Sequence, residues 1–331
     1  MRTFCVTGFG KKLKKHNDLL KIESKEDDND EAKNLLVSPL DFDAVIVSGE
    51  HDITTGAIRL LLKNEIDLMI LDHFGNPAGY ILPCGKSKLI ERHETQSRIS
   101  SSKALCIAKA MCIASMINKI SLLRSIQKNT GVDIETHIER IRKMTVQAES
   151  CLEINSLQGF ECFSTNEYYS ALMKIIPAEF NFTGRNRNPP MDPFNSLLGY
   201  GYGILYSKIR SAIVKAGLSP YYGVFHASYK NQEALVYDLI EEFRQPIVDR
   251  VVLTLIARKQ VSSDDFNVTN EGCFFKNNFK KKYAGIILTR LEQEYTYENE
   301  KKTFSEIIEA QADILASAIL ETGKYSPFIY R

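Results

Sequence analysis

Four side chains pose the chemical question of this chain: Glu161, His226, Asp238 and Glu241. His226 lies in a short polar loop, GVFHASYKNQ, and fifteen residues later Glu241 falls within the apolar run ALVYDLIEEFRQ. Hydrophobic spacing predicts a helix over 233–245, with Leu235, Val236, Leu239, Ile240 and Phe243 turned inward. Asp238 and Glu241, three apart, then share the edge of that apolar stripe. Carboxylates placed there are partly desolvated, which is costly unless a cation compensates. Glu161, in LQGFECFSTNEYYSAL, sits among Phe, Cys, Tyr and Leu and needs a partner for the same reason. Together Glu161, His226 and Glu241 offer oxygen, nitrogen and oxygen donors. That set suits Mg2+ or Mn2+, ions that keep waters and accept phosphate oxygens. An ion pair from the acidic edge to Arg244 or Arg250, beside a solvated face, accounts for the same carboxylates without a metal. Spacing alone leaves both readings open and does not show that the three donors meet.

A second chemical signal is basic. FFKNNFKKKYAG, residues 274–285, interleaves Phe274, Phe275, Phe279 and Tyr283 with Lys276, Lys280, Lys281 and Lys282. FTGRNRNPP adds Arg185 and Arg187 in a Gly/Asn/Pro loop. Cations contact phosphates and aromatic rings stack on bases, so Arg185, Arg187, Lys280 and Lys281 are the candidate DNA contacts; an ordinary charged surface loop has the same composition. With a formal net charge of +1, nucleic-acid binding has to come from such local patches. YILPCGKS is no phosphate-binding loop, because Tyr80 stands where that motif requires glycine. His16, His51, His73, His93 and His137 read as surface or loop residues, and no helix-borne zinc pair occurs. The seven cysteines form no C-x-x-C pair and read as buried thiols of a reducing compartment. The N-terminus lacks an apolar run fit for a signal peptide, and no uninterrupted apolar stretch is expected to span a bilayer, which points to the cytoplasm.

The elements that must position these groups divide in two, as 331 residues exceed one ordinary core. The expected class is α+β: a small, mostly β N-terminal domain over 1–83, a linker at 84–100, and a large all-α domain over 101–331. RTFCVTG, DLLKIES, DAVIVSGE and DLMILDH read as strands, with a basic turn region between the first two and one helix in ITTGAIRLLLKNE. The acidic run at 24–33 reads as a solvated loop extending a hairpin. From SSKALCIAKAMCIASMINKISLLRSIQ onward most segments carry helical periodicity, with Gly217 and Pro246 at helix ends or kinks.

These residues add up to a resemblance. RNPPMDPFNSLLGYGYGILYSKIRSAIVKAGLSPYYGVFHASYKNQEALVYDLIEEFRQPIVDR resembles the signature region of the CRISPR-associated protein one family, the integrases of CRISPR adaptation. LQGFECFSTNEYYSAL resembles that family's upstream Glu motif, and VIVSGEHDITTGAIRLLLKNEIDLMILDHFGNPAG its β domain. The resemblance implies Glu161, His226 and Glu241 as catalytic metal ligands, with Asp238 as an auxiliary carboxylate. It further implies a homodimer through the β domain, the small CRISPR-associated protein two as partner, and double-stranded and branched DNA as substrate. The implied activity is insertion of short DNA fragments into a CRISPR array by attack of a 3′-hydroxyl on a phosphodiester. Two departures stand out: Cys162 follows the Glu where a small residue is usual, and GVF precedes the His where a GFL-like run is common. A catalytically silent DNA-binding or assembly subunit is the competing reading; a metal hydrolase of small molecules is disfavoured by the aromatic-basic segments.

Overall fold

The computed structural model describes residues 2–24, 34–71, 77–85, 87–187, 189–226, 232–320 and 323–330. The loop expected within 24–33 and His73 therefore fall, from residue 25 on and in full respectively, outside the described residues. The chain divides into two units, one of 1–99 with 210–220, the other of 100–209 with 221–331.

The first unit runs β1 (Thr3–Val6), β2 (Lys12–His16), β3 (Leu19–Glu23), β4 (Asn34–Val37), β5 (Ala44–Ser48), β6 (Asp52–Ile53), α1 (Thr55–Lys63), β7 (Asp67–Leu71), β8 (Pro77–Ile81) and α2 (Lys88–Ser97). It holds two four-stranded sheets, ordered β1-β5-β7-β8 and β4-β3-β2-β6. The basic region expected as a turn is strand β2, antiparallel to β3. Leu13 is its one fully buried residue, with half-buried Lys12 and Lys14 on either side and exposed Lys15 beyond, so cations mask the strand pattern. β5 is buried on both faces: Val45 and Val47 join Leu13, Leu20, Leu61 and Leu68, while Ala44 and Ile46 join Met69, Leu89 and Val214. That two-sided burial explains its unbroken apolar run.

Residues 84–100, expected as a linker, instead contain helix α2. Ser87 caps it by accepting from the Ile90 amide, and donates to buried Asp67 at 2.7 Å. Arg92 and Gln96 bind the backbone of Ala216 and Ser219, just past the end of a later helix, where Gly217 adopts φ +73°.

The second unit contains α3 (Ser101–Thr130), α4 (Glu135–Ser150), α5 (Ile154–Met173), α6 (Pro193–Lys215, its last turns counted with the first unit), α7 (Ala234–Ile240), α8 (Arg250–Ala257), β9 (Phe266–Thr269), β10 (Gly272–Phe275), α9 (Asn277–Leu291), β11 (Glu294–Tyr297), β12 (Glu300–Thr303) and α10 (Phe304–Leu320). The all-α expectation is corrected by two antiparallel hairpins, β9-β10 and β11-β12. They are too short, at four residues a strand, to give a period-2 signal against helical neighbours. Between α7 and α8 the chain widens into a π-helical turn, Arg244–Asp249, around Pro246, whose ring cannot donate to a regular ladder.

α3 is long and apolar enough to cross a membrane, contrary to the expectation that no stretch would be. Its apolarity has a protein-side cause: it packs against α4, α5, α7 and α10, burying most residues between Ala104 and Leu123. The thiols also depart from expectation: Cys112, Cys151 and Cys273 are buried, but Cys5, Cys84, Cys106 and Cys162 are exposed. Among the other histidines, half-buried His93 lies on α2, and His137 on α4 pairs with Glu167 at 2.7 Å.

Candidate active site

Asp238 organises the loop that carries His226. Its side chain is 1 % exposed and collects four bonds: the amides of Val224 (2.6 Å), Phe225 (3.1 Å) and His226 (2.9 Å), and His226 Nδ1 at 2.7 Å. A buried carboxylate with that many donors is satisfied and rigid. Because Nδ1 faces Asp238, Nε2 is the ring atom left to act as a ligand. Gly223 makes the approach possible, since a Cβ there would stand 2.8 Å from Asp238 Oδ2 and 2.7 Å from the His226 carbonyl oxygen. Gly223→Ala is therefore expected to lower the Mn2+ affinity of the purified protein by about tenfold or more, as loss of a ligand's outer support does; unchanged binding by calorimetry would contradict this role.

Glu161 reaches the same neighbourhood from α5. One turn before it, Gln158 Nε2 donates to the Phe225 carbonyl at 2.9 Å, tying α5 to the His226 loop. Thr165, one turn after it, donates to Glu161 Oε1 at 2.6 Å. Lys119 of α3, 2 % exposed, completes the contact at 3.3 Å and also binds Ser115 at 2.9 Å. Glu241, one turn beyond Asp238, pairs with Arg244 at 2.9 Å. The helix edge thus carries an ion pair to Arg244, but its face is buried, not solvated.

The charges of these groups act on one another. Burial alone would favour neutral His226, but the bond to Asp238 and the fields of Asp238, Glu241 and Glu161 outweigh it and raise its pKa above 6.5. Burial likewise opposes the charge on Lys119, yet Glu161 and Glu241 together hold its pKa above the usual value. Burial pushes Glu161 up, while Lys119, Thr165 and Arg244 bring it below the ordinary carboxylate range. Arg244 stacks over Tyr202 at 5.0 Å, and Tyr202 and Tyr168 both donate to buried Asp249 beneath it.

The donor chemistry fits a hard divalent ion: two carboxylates, one imidazole, and a buried carboxylate fixing that imidazole. Yet among the described residues no group of three His, Cys, Asp or Glu side chains is gathered closely enough to hold a metal. Instead each carboxylate is engaged by its own cation, Lys119 or Arg244, against which an ion must compete.

The basic candidates separate. Arg187, Lys280 and Lys281 are exposed. Arg185 is turned inward, donating to Asn195 Oδ1 at 2.7 Å and lying over Tyr202 at 5.7 Å, so it braces its loop. The aromatics of 274–285 are mostly core: helical spacing on α9 points Phe279 and Tyr283 inward, and they stack with Phe275. Only Phe274 among these rings is exposed, at 49 %.

Lys119, Gln158, Thr165 and the Tyr168–Tyr202–Asp249 set were not legible as site residues. Lys119 left one trace, a cation set in the apolar stretch between Lys109 and Arg124.

Comparison with known proteins places the whole chain in a family. The family model for CRISPR associated protein Cas1 matches residues 4–287. CRISPR-associated endonuclease Cas1 1 of Methanospirillum hungatei is 39% identical over 332 residues, 100% of both chains. A casposase bound to integration product shares the fold with a TM-score of 0.86, at 24% identity over 100% of both chains. A partial Cas6-RT-Cas1–Cas2 complex gives 0.72 at 23% identity, covering 100% of this chain and 99% of that one. By the family match and the full-length relative, this chain belongs to the CRISPR-associated Cas1 family.

Proposed function

We propose that this protein is a Mg2+- or Mn2+-dependent DNA integrase and endonuclease of CRISPR adaptation, acting in the prokaryotic cytoplasm. The observation that carries this reading is the Asp238-fixed imidazole of His226 sharing one electrostatic neighbourhood with Glu161 and Glu241. Glu161, His226 Nε2 and Glu241 would hold the ion. When bound, such an ion neutralises phosphodiester oxygens and lowers the pKa of an attacking 3′-hydroxyl. Asp238 keeps the imidazole oriented, Lys119 holds Glu161 ionised, and Arg244 pairs with Glu241. No covalent protein–DNA intermediate is required. Homodimerisation through the first unit and partnership with a Cas2 protein complete the proposal, the latter supported by the Cas1–Cas2 complex among the structural relatives.

The test is incubation of purified protein with branched DNA and Mn2+ or Mg2+, with and without EDTA. Strand transfer or cleavage that disappears with EDTA supports the enzyme. A folded protein that binds DNA but never rearranges it supports the alternative, a silent assembly subunit, which the ion-paired carboxylates favour.

The pH dependence follows from His226. With its pKa raised, the ring carries a second proton at Nε2 up to that higher value, and ligation must expel it. Mn2+ affinity is therefore expected to rise as pH climbs through the window above 6.5 and to level off beyond the raised pKa. The stability lent by the protonated His226–Asp238 pair has the opposite slope, being full below the unfolded pKa and lost over the same rise. Calorimetry in buffers of different ionisation heat should record about one proton released per ion at the low end. Release of none across that window would contradict His226 as a ligand.

A further inference from the structure

A cleft of about 540 Å³ opens between α8 and α9, and its charge is one-sided. Arg250, Arg258, Lys282 and Arg290 line it together with Thr254 and Thr289, and no carboxylate is among its lining residues. None of Glu161, His226, Asp238 or Glu241 contributes to it, so it is separate from the site above. Two of its guanidinium groups are held in place. Arg290 lies 4.4 Å over the Phe304 ring and donates to the Pro246 carbonyl at 2.8 Å, while Arg250 lies 4.8 Å over Tyr330. The Arg250 Nε is buried without a hydrogen-bond partner among the described residues. Arg258 and Lys282 stand exposed at the rim.

We propose that this cleft is a second phosphate-binding site, which seats backbone phosphates of a DNA duplex. Four cations without a carboxylate repel one another until an anion arrives, and fixed arginines lose little freedom on meeting phosphate oxygens. The Thr254 hydroxyl is spent on the Arg250 carbonyl at 2.7 Å, but that of Thr289 is a neutral donor of the kind that positions a backbone without reading its sequence. The volume exceeds what one phosphate fills, which fits successive phosphates of a strand. The proposal rests on the reading that the protein acts on DNA but not on its metal dependence.

Binding of a labelled duplex by the full-length protein, measured in EDTA across a salt series, separates the two. Arg258→Glu with Lys282→Glu should make the slope of log affinity against log salt shallower by about two. A charge-matched pair on other helices, Lys128→Glu with Lys143→Glu, controls for net charge. Equal losses from both pairs, or an unchanged slope in the first, overturn the proposal. Binding of ATP at the cleft with an undiminished duplex slope overturns the DNA assignment as well. Loss of strand transfer with normal duplex binding bears only on the metal site.

Discussion

Glu161→Gln should lower metal-dependent strand transfer by about a thousandfold or more while leaving a folded protein. Ion-assisted neutralisation of a phosphodiester is worth several kcal/mol, and each 1.36 kcal/mol is tenfold in rate. Gln keeps the volume of Glu161 and an acceptor for Thr165 and Lys119, but it is a poor ligand for a hard cation. Glu161→Ala should be worse in a second way, because Lys119, 2 % exposed, would retain only Ser115 as a direct partner among the described residues. An unpaired buried cation costs about 3–5 kcal/mol. Adding Lys119→Met to Glu161→Ala should therefore recover melting temperature without recovering strand transfer. His226→Ala and Glu241→Ala should resemble Glu161→Gln in activity. Turnover of Glu161→Gln within tenfold of the parent under Mn2+ would remove it from the ligand set.

The second large effect is structural and lies at Phe328. This side chain is 1 % exposed, stacks on Phe243 at 5.2 Å, and meets Phe304, Tyr295 and Tyr297. Around it the segment 323–330 is fastened to the helices: the Phe328 amide donates to Glu242 at 2.7 Å, Tyr325 donates to the same carboxyl, and Asn118 binds the Phe328 and Glu242 carbonyls. Phe328→Ala is expected to cost about 3–5 kcal/mol, roughly 10 °C in melting temperature for a unit of this size. A drop below about 2 °C would show that the aromatic cluster closes without it. Glu242 gives the segment a pH signature. Burial pushes its pKa up to about 8, so the folded state prefers the protonated carboxyl. That contribution is full below 4.5 and is lost as pH rises to about 8. Glu242→Gln, which keeps an acceptor for Phe328, should flatten this decline in a pH series of melts.

What the residues disclosed in advance was governed by period and by distance. α3, α5, α6 and α10 were legible because long apolar periodicity is a local property. α9 was not, because its lysines disguised the inward face made by Phe279 and Tyr283. The hairpins and α2 were hidden for want of length or apolar content. At the site, Asp238 and Glu241 were visible as a helix-edge pair, and the motifs marked Glu161 and His226. Lys119 and Gln158 act across helices, and spacing along one segment carries no information about a neighbour supplied by another. Arg185 shows the converse: a basic loop suggested an outward role, and only packing against Tyr202 turned it inward.

α3 has the length and apolarity of a membrane-crossing segment. For a nascent chain meeting a translocon before α4 and α5 exist, α3 is the stretch most open to misrouting. A lysine at the centre of such a helix adds about 2.5–3.5 kcal/mol to the free energy of insertion. Lys119 occupies that position, so the cation that balances Glu161 in the folded protein also biases the unfinished chain toward water.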